Sequence, residues 1–561
     1  MTFLQFWLLL TPCAPFLAIT AFFHPNWRKY LPYLSVLAPL PALILSFMPS
    51  QSLSVPWLFL GSVWMADEMQ HIFLRVSALL WFFSACYGVG YINNSTKAPR
   101  FWLLWLMTLS GNLGLIISQD IVSFYGFFAL MTFSAYGLVI HNQNKAALFA
   151  GKVYLVMAVI GEMFILAGLF LTSEAASHSS VLFTDLRASL IHANNLPLII
   201  SCLLIGFGVK AGLPFLHMWL PLAHPVAPTP ASAVLSGAMI KAGLFAWLTL
   251  IPLGIITLPN IGFTMLLLGL FAAFGAAIIG FCQSAPKAIL AYSSISQMGL
   301  ISCAIGTALI FPQSWQTLFP VVLLFTFHHG ITKGALFLSV GIKEHYKSIP
   351  IIIICTAMLI PALSLIGVFN SGIHAKLALK HALSAPYLPT WLLPSITATA
   401  ATTTLLMLRF LYCLWLEKAV TPKKLPPSML IGWLSLVSLC ALGPSLLLSE
   451  LTLPTILQQW QQALNLVWLP LFTLLVWYFL RPYCTYSFKA GDILFPLLKI
   501  KVFLDYIQLH RPVFKTPLKL SLVQHLPAIL NRLNCIEHTF SRYIAASFIL
   551  IIALFVVAVL F

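Results

Sequence analysis

The sequence predicts an all-α protein that crosses a membrane about 14 to 16 times, at about 20 residues per crossing. Hydrophobic residues make up 60% of the 561 residues, charged residues make up 7%, and the mean hydropathy is +0.98. Water-soluble globular proteins of this size do not have such a composition. The apolar runs are continuous, whereas transmembrane strands alternate between apolar and polar residues, so we expect helices.

Basic residues gather in every second loop, which predicts the orientation of the chain. These loops carry Arg28 and Lys29, Lys97 and Arg100, Lys145 and Lys152, Lys287, Lys343 and Lys347, and Lys418, Lys423 and Lys424. The alternate loops hold Asp67 and Glu68, Asp120, Glu174 and Asp185, and Glu450, with Arg187 as the basic exception. Loops rich in Lys and Arg stay in the cytoplasm, so the N-terminus is expected outside a bacterial inner membrane. The net charge of +17 thus reflects membrane topology rather than a nucleic-acid partner.

No motif of the sequence predicts a catalytic, cofactor or metal site. The ten cysteines are scattered singly, without the spacing of a zinc, haem or iron–sulfur site. No GxGxxG or phosphate-loop motif indicates nucleotide binding. Any transport would therefore be driven by an ion gradient or by a partner protein.

Composition divides the chain into five predicted regions. Residues 1–99 are expected to form scaffold helices, residues 100–420 the core with nearly every intramembrane charge, and residues 421–480 additional transmembrane helices. Residues 481–542 mix basic residues with apolar pieces too short to span the membrane. They are expected either to lie along the cytoplasmic interface or to form a solvated loop. Residues 543–561 are expected to be a C-terminal transmembrane anchor.

Ionisable residues inside the predicted spans indicate a path for protons or small cations. Glu162 is the single acid in the middle of an apolar span, where a charge costs ~2.5 to 3.5 kcal/mol. Later spans carry four bases, Lys210, Lys241, Lys333 and Lys376. Burial disfavours the charged form of either side chain, while a nearby opposite charge favours it, so Glu162 with Lys210 would make a protonation switch. The alternative is a fixed ion pair that only orders two helices.

Several histidines accompany these lysines. His329 and Lys333 lie one helical turn apart and share a face, and an imidazole can accept one proton and release another. His328 points elsewhere, and for this residue a hydrogen-bonded packing role is favoured over a relay role. The proline-rich string HMWLPLAHPVAPTPASAV cannot form a continuous helix, and it begins with His217 and contains His224, which could lead protons to or from the aqueous side. Lys380 lies near a predicted membrane edge, where a lysine can extend its ammonium to the headgroups.

Two segments of the chain look alike and suggest a repeat. They are LLIGFGVKAGLPFLHMWL, which contains Lys210, and LSLIGVFNSGIHAKLALK, which contains Lys376. Each mixes Gly, Pro or Asn into an apolar span, and paired interrupted spans are typical of repeat-built transporters with a site at the breaks. Chance similarity is the alternative, since Leu-Ile-Gly is a common string.

Three strings resemble a known family. WLPLAHPVAPTPASAVLSGAMIKAG, LAYSSISQMGLI and HHGITKGALFL are similar to the antiporter-like membrane subunits of complex I, hydrogenase complexes and Mrp-type cation/proton antiporters. The resemblance covers about residues 65–420. It implies a core with two inverted five-helix repeats, each with a broken helix, and a central file of proton-carrying side chains. The matching positions are Lys210 and Lys376 in the broken helices, and Lys241, His329 and Lys333.

One position departs from the family pattern. The family usually has a Glu in a string like FYxFFELM, whereas this chain reads FYGFFALM and has Ala129 there. Glu162, one helix later, is the only acid available deep in the membrane. We therefore expect Glu162 to replace the missing carboxylate.

These observations predict a proton-translocating membrane subunit of a multisubunit complex, which moves protons alone or in exchange for Na⁺ or K⁺. The resemblance implies other membrane subunits as partners, in an NADH:quinone oxidoreductase-like, hydrogenase or Mrp-type complex. Two alternatives stay open. One is a structural membrane subunit without transport, and the other is the membrane subunit of an inorganic-carbon uptake complex.

Overall fold

A computed structural model describes residues 2–58, 61–92, 95–176, 180–344, 351–416, 425–448 and 460–480. The chain divides into two compact units, one of residues 1–53 and 63–492 and one of residues 54–62 and 493–561. The predicted interfacial segment at 481–542 and the anchor at 543–561 lie outside the described residues. The all-α membrane fold is confirmed, and the inverted relation of two five-helix repeats stays a prediction.

Helices account for nearly all elements. The first are α1 (Phe3–Phe23), α2 (Leu31–Leu37), α3 (Leu40–Leu45), strands β1 (Gln51–Val55) and β2 (Ser62–Ala66), α4 (Glu68–Ile92), α5 (Ala98–Ile117), α6 (Ile121–Val139), α7 (Lys145–Ala175), α8 (Phe183–Leu190), α9 (Leu196–Ala211) and α10 (Trp219–Val226). Then follow α11 (Thr229–Val234), α12 (Ile240–Leu250), α13 (Pro259–Phe271), α14 (Ala277–Phe281), α15 (Pro286–Ile310), α16 (Trp315–Glu344), α17 (Ile351–Ile366), α18 (Asn370–Ala382), α19 (Leu392–Leu416), α20 (Pro427–Leu447) and α21 (Trp460–Leu480). Short 3₁₀ turns lie at Arg28–Tyr30 and Pro312–Ser314, and π-helical turns at Leu235–Met239 and Ala272–Ala276.

Within the described part of the chain, twelve segments are long and apolar enough to cross a membrane. The shorter apolar helices Leu196–Ala211 and Leu466–Phe479 add to them. The apolar run between α1 and β1 does not form one spanning helix, because α2 ends at Leu37, α3 begins at Leu40 and neither reaches spanning length. The small sheet of β1 and β2 that follows is not predicted from the sequence.

Two spans break where the sequence mixes glycine into apolar runs. α9 ends at Gly212, whose φ of 83° is the left-handed conformation that glycine adopts without strain. The chain turns irregularly until α10 begins at Trp219. α17 ends near Gly367, which has a φ of 97°, and α18 resumes at Asn370. A third irregularity, the π-helical turn Leu235–Met239, joins α11 to α12 without ending the helical path.

Asp120 ties the start of α6 to two other segments. Its carboxylate accepts hydrogen bonds from the Ser123 backbone N–H (2.8 Å), the Ser123 hydroxyl (2.6 Å) and the Val63 backbone N–H (3.0 Å). The first bond caps α6. Backbone pairing adds Trp64 with Ser118 and Asp120 with Leu182. Because Asp120 is only 1% exposed, these donors have no access to water if the carboxylate is removed.

We expect Asp120→Ala to lower the free energy of unfolding by about 1–2 kcal/mol, since it removes a helix cap and a cross-segment bond together. Thermal unfolding of the purified chain in detergent measures the change. Asp185→Ala is the control, because Asp185 is exposed in the nearby helix α8. An equal shift for both variants would contradict the role of Asp120.

Candidate functional site

Helices α7 and α9 touch backbone to backbone at Gly161 and Gly206. A Cβ atom on Gly206 would lie 2.7 Å from the backbone nitrogen of Ile165, and one on Gly161 would lie 3.1 Å from the carbonyl oxygen of Gly206. Only glycines permit this approach. Glu162 follows Gly161 directly, and Lys210 lies one turn after Gly206 on the same side of α9. The glycine contact therefore brings the two charged side chains to one place.

The Lys210 ammonium is held by two hydroxyls and three aromatic rings. It donates hydrogen bonds to the Thr132 hydroxyl and the Tyr154 hydroxyl, each at 3.1 Å. Its nitrogen lies 5.4 to 6.0 Å from the ring centres of Tyr154, Phe128 and Trp219. Lys210 also occupies the last turn of α9, where the helix dipole favours a positive charge. These groups stabilise an ammonium that is only 5% exposed.

Glu162 and Lys210 line one cavity of about 20 Å³, which Phe128, Thr132, Tyr154 and Trp219 also line. Neither carboxylate oxygen of Glu162 makes a hydrogen bond to a described residue. Lys210 and the Tyr125 hydroxyl are close enough to interact with Glu162 electrostatically. A cavity of this size has room for one water molecule, which Glu162, Lys210 and the hydroxyls of Thr132 and Tyr154 could bind in an otherwise apolar lining. Glu162 and Lys210 are therefore neighbours across a small space rather than a directly bonded pair.

Ala129 lies between the two α6 residues that face this cavity region. Tyr125, Ala129 and Thr132 are separated by four and three residues on α6 and so share one face of the helix. Tyr125 interacts with Glu162, and Thr132 accepts from Lys210. A longer side chain at position 129 would consequently extend toward the same charged pair that Glu162 reaches from α7.

A second glycine contact joins α16 to the π-helical turn before α12. A Cβ atom on Gly237 would lie 2.9 Å from the Gly330 carbonyl oxygen, and one on Gly330 would lie 3.1 Å from the Gly237 carbonyl oxygen. Close to this contact, the Lys241 ammonium donates to the Ser236 carbonyl oxygen at 2.9 Å. The π-helical turn changes the backbone hydrogen-bonding pattern at Ser236, which frees its carbonyl for the lysine.

Helix α15 supplies the polar partners of Lys333. The Lys333 ammonium donates to the Leu290 carbonyl oxygen at 2.6 Å and to the Ser293 hydroxyl. The next residue, Ser294, shares a hydrogen bond of 2.7 Å with the hydroxyl of Ser236. Two serines of the string AYSSIS therefore connect the two lysines. Ser293 binds Lys333, and Ser294 binds Ser236, whose carbonyl oxygen binds Lys241.

The histidines of α16 face different partners. His328 Nδ1 lies 3.0 Å from the Ser371 hydroxyl, which bonds to Ser364 across the α17–α18 break. Both ring nitrogens of His329 lack a hydrogen-bond partner among the described residues. His329 is fully buried, with the charges of Lys241, Lys333 and Lys376 nearby. His328 therefore has one ring nitrogen in a hydrogen bond, whereas neither ring nitrogen of His329 is bonded to a described residue.

Lys376 packs against the α17–α18 break itself. A Cβ atom on Gly367 would lie 2.6 Å from the Lys376 Cγ, so the glycine leaves room for the lysine stem. The ammonium lies 6.0 Å from the centre of the Phe325 ring and has no hydrogen-bond partner among the residues that the structure describes. Lys380 is half-buried, one turn further along α18, and close enough to interact with Lys376.

A line of side chains leads from Lys333 to the start of α15. The Lys333 ammonium lies 5.6 Å from the centre of the Phe337 ring, and His224 stacks on the same ring at 4.6 Å. His224 is fully buried. Lys287, assigned from the sequence to a charged loop, is instead only 8% exposed and donates to the Ala227 carbonyl oxygen at 3.1 Å. This correction arises because α15 begins at Pro286, inside the bundle rather than after it.

The structure thus gathers the candidate residues into two clusters. One contains Glu162 and Lys210, and the other contains Lys241, His328, His329, Lys333 and Lys376, with His224 beside it. His217 lies in the α9–α10 break, with its Nδ1 3.3 Å from the Leu213 carbonyl oxygen. Sequence reasoning missed the hydroxyl partners Thr132, Tyr154 and Ser293. The serine-rich string in an otherwise apolar helix was the available signal for the last of these.

Comparison with protein families matches residues 118–373 to the family NADH:quinone oxidoreductase/Mrp antiporter, transmembrane. A putative antiporter subunit, mnhA2, of Staphylococcus saprophyticus is 29% identical over 392 residues, which is 63% of this chain and 48% of that protein. Hydrogenase-4 component B of Escherichia coli is 27% identical over 286 residues, 49% of this chain and 42% of that protein. The chain spans about half the length of these relatives.

Two solved structures share the fold. The archaeal membrane-bound sulfane sulfur reductase, a respiratory membrane complex, contains a chain that superposes with a TM-score of 0.65 and 19% identity, over 79% of this chain and 94% of that one. The Mrp complex from Dietzia sp. gives a TM-score of 0.60 and 20% identity, over 75% of this chain and 80% of that one. At these identities the likeness concerns the fold alone.

We expect Tyr154→Phe to lower the free energy of unfolding by about 1–3 kcal/mol, because it takes away one of the two hydroxyls that hold the buried Lys210 ammonium. Tyr154 also donates to the Thr132 carbonyl oxygen at 2.9 Å, and that bond is lost too. Tyr33→Phe, at a position 60% exposed, is the matched control. Thermal unfolding in detergent compares them, and equal stability of the two variants would argue against the role of Tyr154.

Proposed function

We propose that this multi-pass membrane protein is a proton-translocating subunit of a multisubunit complex, because residues 118–373 match the model of the NADH:quinone oxidoreductase/Mrp antiporter family. Glu162, Lys210, Lys241, His329, Lys333 and Lys376 would carry the protons. The observation that supports this most is the shared cavity of Glu162 and Lys210. A structural ion pair would form a direct contact, whereas these groups leave a space in which a water molecule can transfer a proton.

The first cluster, Glu162 and Lys210, has the chemistry of a protonation switch. Lys210 is stabilised as an ammonium by hydroxyls, rings and a helix C-terminus, while the attraction of Glu162 adds to these. If Glu162 accepts a proton, that attraction disappears and Lys210 more readily releases its own. Protonation of one side chain therefore changes the proton affinity of the other, which couples loading to release.

The second cluster offers a place for the released proton. His329 has two unbonded ring nitrogens between three lysines, and an imidazole can take up a proton on one nitrogen while losing one from the other. His224 is close enough to interact with both Lys333 and Lys287, so these side chains would continue the file from Lys333 toward the start of α15. Transfer along this line needs water or side-chain movement past Phe337, because the ring has no exchangeable proton.

Several further assignments belong to the same proposal. The protein would reside in a bacterial inner membrane with its N-terminus outside, as the alternation of basic and acidic loops suggests. Its partners would be other membrane subunits, since one relative is named as a subunit of an antiporter and two chains with this fold come from membrane complexes. Residues 100–420 would form the translocating core. Exchange of protons for Na⁺ is suggested by a relative from Staphylococcus haemolyticus that is named Na⁺/H⁺ antiporter subunit A1 and is 31% identical over 272 residues, and K⁺ is the alternative ion.

The proposal is tested with Glu162→Gln and Lys210→Ala in the native complex, by recording proton movement in membrane vesicles. Each change removes a titratable group from the file, so we expect proton flux to fall by about tenfold or more. Glu174→Gln is the control, because Glu174 is exposed at the end of the same helix. Unchanged flux in both variants, with the complex assembled, would leave only a structural role.

A relocated carboxylate tests whether Glu162 replaces the family acid missing at Ala129. We expect Ala129→Glu to restore a large part of the flux that Glu162→Gln removes, because position 129 shares a face of α6 with Tyr125 and Thr132. The same vesicle assay measures it. A second site on α6 that faces lipid, Phe133→Glu, is the control, since Phe133 is 37% exposed. Rescue by the control, or no rescue by Ala129→Glu in an assembled complex, would contradict the replacement.

The two histidines of α16 give a further test. We expect His329→Gln to reduce proton flux by about tenfold or more, since Gln cannot carry a proton between the surrounding lysines. His328→Gln should reduce it less, because His328 already bonds to Ser371 through one nitrogen. The comparison uses flux at equal amounts of assembled complex. A larger effect at His328 would assign the relay to the other side of α16.

A further inference from the structure

Three spans end around an apolar cavity that is separate from the clusters described above. The cavity measures about 180 Å³ and lies between the end of α16, the start of α17 and the end of α19. Its lining consists of Lys343, Ile354, Cys355, Met358, Leu359, Leu411, Leu414 and Trp415. Among the described residues of this lining, Lys343 is the charged one.

The lining has the shape of a groove that enters the membrane. Cys355, Met358 and Leu359 are spaced three and four residues along α17 and so form one stripe. Leu411, Leu414 and Trp415 form a stripe of the same spacing on α19. Because α17 begins and α19 ends at this edge, the two stripes run antiparallel from the membrane boundary about one helical turn inward.

The mouth of the groove carries a positive charge beside an aromatic ring. Lys343 is the last residue of the span Pro312–Lys343, and its ammonium lies 5.5 Å from the centre of the Trp415 ring. Trp415 is 58% exposed at the end of its own span. Tryptophan at a membrane boundary lies at headgroup depth, and a neighbouring lysine at that depth attracts phosphate.

We propose that this groove binds one anionic phospholipid. The Lys343 ammonium would pair with the lipid phosphate, Trp415 would pack beside the glycerol region, and one acyl chain would enter between the α17 and α19 stripes. Charge complementarity favours an anionic lipid, because Lys343 carries the charge of the lining and none of the described lining residues is acidic. Apolar cavities of about 150 Å³ stay free of water and take up hydrocarbon, so the interior suits an acyl chain. The proposal does not depend on proton translocation.

Native mass spectrometry of the full-length chain in a non-ionic detergent tests the proposal, with phosphatidylglycerol and phosphatidylcholine of identical acyl chains as probes. We expect Lys343→Gln to weaken phosphatidylglycerol binding about fivefold, as for the loss of one lysine near a membrane surface. Lys343→Arg should retain binding. Lys145→Gln, at an exposed lysine on the same predicted side, is the matched control and should bind like the unchanged chain.

A second variant tests the acyl-chain part without altering charge. Cys355→Leu should weaken phosphatidylglycerol binding by partly filling the groove, while Ile191→Leu, at an exposed position elsewhere, should not. Three outcomes would overturn the proposal. They are equal binding of phosphatidylcholine and phosphatidylglycerol, equal losses for Lys343→Gln and Lys145→Gln, and no lipid retained by the unchanged chain, which would assign the groove to a partner subunit or to another segment of the chain.

Discussion

A buried ammonium is stabilised by oxygen atoms around it, and a regular helix offers few, because its carbonyls already accept backbone bonds. This requirement explains the positions of three lysines of the core. Lys241 uses a carbonyl at a π-helical turn, and Lys287 uses the carbonyl that precedes Pro228 at the end of α10. Lys210 lies at the end of a half-helix and uses hydroxyls. For these three lysines, the end of a helix or an irregular turn supplies the oxygen atoms that the internal charge needs.

Contacts between glycines bring the helices that carry these charged residues close together. At Gly161 and Gly206, and again at Gly237 and Gly330, two backbones approach so closely that a methyl group would not fit without movement. In membranes, where lipid competes equally for apolar surface, small residues are the main means of bringing helices together. Each contact lies next to residues of a charged cluster. The distances within the clusters therefore depend on side chains that have no charge themselves.

Much of the candidate site could be predicted from the sequence, but only where a residue type is unusual for its surroundings. A carboxylate or an ammonium in an apolar span is conspicuous, so Glu162, Lys210 and Lys333 were identified as candidates. Thr132 and Tyr154 are common residues of membrane helices, and only the folded structure shows that they bond to Lys210. Lys287 was misplaced because a lysine after an apolar run looks the same whether it lies in a loop or inside the bundle. The β1–β2 hairpin lacked any turn motif that would have indicated it.

The size of the cavity beside Lys210 has a consequence for ion selectivity. A sodium ion that entered a space of about 20 Å³ would have to exchange its hydration shell for oxygen atoms of the wall. Thr132, Tyr154 and Glu162 provide only a few, and the ammonium repels any second cation. Hydrogen-bond exchange through a single water molecule needs no such dehydration. In the proposed transport, this space would therefore favour protons over metal cations, and exchange of sodium or potassium would use a separate route.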